Sequence, residues 1–190
     1  MRKLGIRWKE AINALSEEFG KPVHEIGEFH QLDFHIDLSM AVARNHTTGK
    51  EIVYLGSSSK TEKFLKKWLA DNPSHRERGA AREWLIHLAK SEHSPQRDYW
   101  NLKEKLRLEA LGYEVRELLG FYDGDDLMFA NTNAIFSGRH VILPKHRLGS
   151  VNEQVAEEFR SLGYTPIFFE SAPIYFRLNG GPRCASCTFR

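Results

Sequence analysis

Between Gln31 and Ser39 polar and apolar side chains alternate without a break. Leu32, Phe34, Ile36 and Leu38 take one parity; Gln31, Asp33, His35, Asp37 and Ser39 take the other. A period of two belongs to an extended strand, whose successive side chains leave opposite faces of a sheet. The pattern predicts a strand over 31–43 and obliges the rest of the chain to supply its partners. Asn45 to Lys50 has turn chemistry, and Glu51-Ile-Val-Tyr-Leu55 reads as a second strand, so the pair is expected as a hairpin.

Around this hairpin the sequence alternates helical and extended segments. Trp8, Ile12, Leu15 and Phe19 share one face of a helix over 7–19, with Gly20 placed to close it. Residues 59–112 are helical and charge-rich. Helices are expected over 60–70, 76–90 and 99–111, broken at Asn72-Pro73-Ser74 and at Ser94-Pro95 and ended by Gly112. A strand over 113–119 follows. Asp123-Gly124-Asp125 then turns into a second hairpin, 127–136 with 140–144, around Ser137-Gly138. Ser150 with Glu153 reads as a capping box opening a helix over 151–162, ended by Gly163, and a last strand covers 164–170. The order strand, strand, helix, strand thus occurs twice, over 29–119 with an inflated helical section and over 127–170. The fold class is α/β, with an internal structural repeat.

Composition narrows the function classes. The chain has 190 residues, a net charge of +2 and 41% apolar residues, enough for a buried core. Its Lys and Arg are interleaved with Asp and Glu, which argues against nucleic acid as a partner. No apolar run approaches the roughly 20 residues of a membrane span, and no h-region follows the basic start, so no membrane and no signal peptide are expected. Two cysteines, Cys184 and Cys187, make no disulfide framework and suit a reducing, cytoplasmic setting.

Two clusters carry chemistry. Asp33, His35 and Asp37 leave the same strand face. His35 and Asp37 lie two positions apart, roughly 6–7 Å along the backbone, near enough to address one small ligand with an imidazole for proton transfer and a carboxylate for a cation. The plain alternative is a solvated strand face. The second cluster is Asn179-Gly180-Gly181-Pro182-Arg183-Cys184, in which the glycines permit close backbone approach and Arg183 stands beside a thiol whose thiolate it can favour. Three other readings stand beside a reactive thiol. Cys184 could be a small buried hydrophobe, Cys184-Ala-Ser-Cys187 half of a zinc site without a second ligand pair, or the same motif a redox pair.

Phe34-His35-Ile36-Asp37 far upstream of a terminal Gly180-Gly-Pro-Arg-Cys184 resembles the guanidine-modifying, or pentein, superfamily, closest to its arginine deiminase and amidinotransferase branch. Asn133-Ala-Ile-Phe-Ser-Gly138 resembles that family's penultimate hairpin and 151–163 its following helix. The resemblance covers 29–55 and 127–187 and leaves out the helical section 59–112, which reads as an insertion. It implies a propeller of strand-strand-helix-strand modules, of which this chain holds about two of five. The whole of 1–190 is then one domain, the C-terminal portion of the fold, with 127–187 as last module and catalytic tail. It implies cysteine-dependent deimination of a guanidino substrate such as arginine or a derivative, without cofactor or metal. Cys184 is the nucleophile, His35 the general acid and base, and Asp37 the carboxylate that holds the guanidinium. An amidinotransferase would use the same thiouronium intermediate, and a non-catalytic pentein-like binding module is the alternative from another class. The family's further guanidinium-binding carboxylate has no counterpart upstream of His35; Asp33 is the one on the same face. The chain therefore reads as a fragment, a split subunit or a degenerate copy, completed by N-terminal modules, a second chain or self-association.

Overall fold

A computed structural model describes residues 8–20, 22–23, 40–91, 93–123, 127–170 and Arg183. It divides the chain into two compact units, Met1–His30 and Gln31–Arg190. The first contains helix α1, Trp8–Phe19, as the apolar spacing predicts. Gly20 closes it at φ +60°, a left-handed conformation that costs a glycine nothing. Ser16 Oγ returns to the Ile12 carbonyl at 2.9 Å and accepts the Val23 N–H at 2.9 Å, turning the chain after the helix.

The second unit is built on two sheets. In the first, β1 (Met40–Arg44) pairs antiparallel with β2 (Glu51–Ser57), and β2 pairs parallel with β3 (Glu114–Asp123). The expected hairpin forms. Asn45 Oδ1 accepts the N–H groups of Thr47 and Thr48 at 2.9 and 3.1 Å, and Gly49 supplies φ +73°. Of the strand predicted over 31–43, the described part begins at Met40; 31–39 lies outside the described residues. In the second sheet β5 (Ile135–Ser137) pairs antiparallel with β6 (His140–Pro144), which pairs parallel with β7 (Thr165–Phe169). Both sheets therefore share one topology, hairpin then parallel crossover.

The crossovers differ. Between β6 and β7 runs one helix, α5 (Gly149–Ser161). Between β2 and β3 run three: α2 (Ser58–Asp71), α3 (Arg78–Lys90) and α4 (His93–Ala110). Ile52, Tyr54, Leu118 and Leu119 of the first sheet share one core with Leu65 of α2, Trp84 of α3 and Val155 and Phe159 of α5. On the opposite face Leu108 of α4 covers Val53, Leu55 and Val115. The first sheet is thus buried on both faces, as parallel pairing requires. Helix α4 is fastened at its start: the Asp98 carboxylate accepts the Ser58 and Ser59 N–H groups at 2.9 and 2.7 Å, satisfying the open end of α2.

Three sequence expectations are corrected. Helix α4 begins at His93, not 99, because Pro95 falls in the first turn, where a missing N–H breaks no helical bond. The strand expected over 127–136 is two strands. β4 (Leu127–Ala130) pairs antiparallel with β3 and completes the first sheet, and β5 opens the second. The helix after Leu148 begins at Gly149, so Ser150 lies inside it and caps nothing. The Glu77 carboxylate lies at that end instead, 3.4 Å from the Ser150 nitrogen, and Glu153 binds Arg160 at 2.5 Å. Between the modules, His46 N–H donates to the Leu162 carbonyl at 2.9 Å and Arg44 N–H to Tyr164 Oη at 2.9 Å. Gly163 lies there at φ +88°, where an added Cβ would meet His46 Cβ at 3.1 Å. Among the described residues no helix is long and apolar enough to cross a membrane.

Candidate functional site

Of the residues singled out in the sequence, Cys184, His35, Asp37 and Asp33 lie outside the described residues, as does Cys187. Arg183 is described. Its side chain is exposed, and its backbone N–H donates to Asn133 Oδ1 at 2.8 Å. The structure thus shows what the chain immediately before Cys184 is fastened to.

That fastening point is the passage between the sheets. After Ala130 the chain leaves β4 and crosses to β5 through Asn131, Thr132 and Asn133, which are 1%, 1% and 0% exposed. Burying three polar side chains in succession costs free energy unless each is hydrogen-bonded. Asn131 Nδ2 donates to the Leu119 carbonyl at 2.7 Å, and Asn131 Oδ1 lies 3.1 Å from His146 Nε2. Since the amide nitrogen is committed to Leu119, the oxygen must face the imidazole, and Nε2 carries the hydrogen. His146 is clamped in turn by Asn152, whose Oδ1 accepts the His146 N–H at 2.9 Å and whose Nδ2 donates to the His146 carbonyl at 2.8 Å. The Trp84 indole meets the imidazole edge-on at 6.1 Å. Burial pushes the His146 pKa from its usual value down to about 3, so the ring is neutral at physiological pH. It is a structural imidazole.

Sequence reasoning missed Asn131, Asn152 and His146 as members of a site and met Asn133 only through the hairpin text. The available signal was Asn131-Thr132-Asn133 itself, a polar run inside an otherwise apolar extended segment. A recess of about 500 Å³ is lined by Lys60, Lys63, Lys105, Arg116, Glu117 and Glu158. Four cations against two carboxylates give its described walls the wrong sign for a guanidinium. Beside it Tyr54 Oη donates to Glu158 Oε1 at 2.7 Å, and burial together with this carboxylate raises the phenol pKa, so the tyrosine stays neutral. Among the described residues no group of His, Cys, Asp or Glu is placed to hold a metal ion.

The sequence matches no protein-family model and no curated protein. Solved structures do match. The agmatine deiminase of C. jejuni superposes with a TM-score of 0.58 at 18% identity, over 94% of this chain and 46% of that one. A cysteine-to-serine variant of it with substrate bound gives 0.57 at 17% identity, over 95% and 46%. A protein assigned as an arginine deiminase from Porphyromonas gingivalis gives 0.58 at 15% identity, over 95% and 47%. The chain spans about half the length of the structures it matches. At such identity the likeness speaks for the fold, a mixed α/β arrangement of two small sheets with their helices. The chain has a fold like that of about one half of these deiminase structures.

Proposed function

We propose that this chain carries the nucleophilic half of a guanidine-modifying hydrolase, deiminating a guanidino substrate of the arginine or agmatine kind. The observation that carries the reading is a coincidence of two independent facts. The fold is like that of about half of a deiminase structure, and the sequence holds His35-Ile-Asp37 and, far downstream, Gly-Gly-Pro-Arg-Cys184 in the order that the resemblance to the guanidine-modifying superfamily implies. A guanidinium is planar, cationic and a poor electrophile, so it calls for a soft nucleophile and carboxylates to hold its plane.

In the proposed mechanism the Cys184 thiolate adds to the guanidinium carbon while Asp37 holds the cation. His35 protonates the departing nitrogen of the tetrahedral adduct, the C–N bond breaks, and ammonia leaves, so that the carbon remains as a covalent thiouronium. The same imidazole, now neutral, takes a proton from water. The hydroxide adds to the carbon, the C–S bond breaks, and a ureido product and the thiolate are released. Arg183, one residue from the thiol, favours its ionised form. Water rather than an amine as acceptor is supported by the neighbours being deiminases. The remaining modules would come from N-terminal modules of a longer chain, from a second chain or from self-association.

The test is covalent. A haloacetamidine, a small amidinium electrophile, is expected to label Cys184 faster than Cys187, with agmatine or arginine protecting and Asp37→Ala slowing the reaction. Equal labelling of both thiols, unchanged by Asp37→Ala, would sink the assignment.

A further inference from the structure

We infer that Asn133 is a positioning residue for the Cys184 thiol, its side-chain carbonyl fixing the backbone from which the nucleophile projects. The inference rests on the proposed role of Cys184 and extends it to a residue with no part in the chemistry. Asn133 is fully buried, and the turn that carries it is held at several points. Its own N–H donates to the Ala130 carbonyl at 3.1 Å and the Ala134 N–H to the Thr132 carbonyl at 2.8 Å, while Asn131 is anchored to Leu119 and lies against His146. An acceptor on so fixed a frame has a fixed position. It takes the Arg183 N–H at 2.8 Å across 50 residues of sequence.

The Cα of Cys184 is one peptide unit further on, about 3.8 Å away. The hydrogen bond therefore limits where the thiol can begin, whatever the Gly180-Gly181 approach allows. An apolar side chain at 133 would be cheaper to bury than an amide, so the amide needs a reason to be there. Holding the tail is one. Orientation is also where such a tether would matter, since a displacement of about 1 Å at a reacting atom can cost on the order of a hundredfold in rate. Arg183 is thereby held through its main chain.

The experiment has two arms on the full chain. Hydrogen exchange is expected to find the Arg183 amide protected in the wild type and released in Asn133→Ala, while the Val141 amide in the core stays protected in both. Haloacetamidine labelling of Cys184 is expected to slow about tenfold in Asn133→Ala, with Cys187 unchanged, and to recover in Asn133→Asp, which keeps an acceptor oxygen at the same reach. An unprotected Arg183 amide in the wild type overturns the tether whether or not the variants fold. Preferential labelling of Cys184 that Asn133→Ala leaves untouched overturns the positioning role and spares the nucleophile. No preference for Cys184 in the wild type removes the nucleophile, and the positioning role with it.

Discussion

At the scale of single residues, the best-defined chemistry is a histidine that does not titrate where histidines usually do. The His146 pKa is held at about 3 by burial, against 6.5 ordinarily. The unfolded chain takes up a proton near pH 6.5, and the folded one does not until about pH 3. The unfolded state therefore binds more protons between these values, and stability falls as pH drops through that window. Above pH 6.5 the group contributes no slope. At pH 5 the loss relative to pH 7 is about 2 kcal/mol from this residue, at 1.36 kcal/mol per pH unit. Urea unfolding at pH 7 and pH 5 is expected to show that difference in the wild type. It should shrink in His146→Gln, which keeps a donor toward Asn131 and does not titrate. An unchanged pH difference in the variant would mean that other groups set the slope. Nothing in the local sequence around His146 announces this behaviour. Its partners Asn131 and Asn152 are separated from it by 15 and 6 residues, and Trp84, which meets the ring edge-on, comes from α3 of the other module. The acid/base alternation of Asp33, His35 and Asp37, by contrast, is a property of the sequence itself, and the strand it predicts over 31–39 lies outside the described residues.

At the scale of elements, patterns with a local physical cause were legible and those set by neighbours were not. Gly20, Gly112 and Gly163 all end helices as expected, at φ +60°, +90° and +88°, since a left-handed closing residue is a local demand. The turn Asn45 to Lys50 and the hairpin around Gly138 are equally local. The start of α4 was misplaced because a proline marks either a break or a first turn, and only packing decides which. The division of 127–136 into β4 and β5 depends on two sheets competing for one extended run, with Asn131 fixed by the carbonyl of Leu119. The capping box expected at Ser150 does not form: α5 begins one residue earlier, at Gly149, and the carboxylate at its end is that of Glu77, the residue before α3. Tertiary capping has a testable counterpart in Asp98. Its carboxylate satisfies the N–H groups of Ser58, which is buried, and Ser59, and it joins two helices that the sequence treats as an appended insertion. Asp98→Ala would leave both donors without that acceptor, at a cost of about 2 kcal/mol. The expected result is a lower urea midpoint and faster amide exchange in α4. A variant as stable as the wild type would show α4 to be docked by Leu108 and its neighbours alone.

At the scale of the whole molecule, the repeat read from the order of segments is present as two sheets with the same hairpin and parallel crossover, although one crossover carries three helices and the other one. Topology survives an insertion because α2 and α4 each cover a different face of the first sheet, so added helices fill a surface that parallel pairing leaves apolar. The proposed site makes a different demand. A guanidinium is fixed in its plane by two or more carboxylates, and the solved structures that share this fold are about twice as long as this chain. We expect the 190-residue chain alone to be labelled at Cys184 yet to release ammonia from agmatine or arginine slowly. One carboxylate, Asp37, neutralises the cation without orienting it, and loss of orientation costs on the order of a hundredfold. A site open to water also sits in a higher dielectric, where a contact at 4 Å falls from about 4 kcal/mol at an effective dielectric of 20 toward about 1 kcal/mol in bulk water. Binding and the first covalent step would then survive better than turnover. The measurement is ammonia release over many turnovers beside the stoichiometry of Cys184 labelling, with Cys184→Ser as the blank. Rapid release that disappears in Cys184→Ser and falls steeply in Asp33→Asn would show that Asp33 completes the carboxylate pair and that two modules suffice.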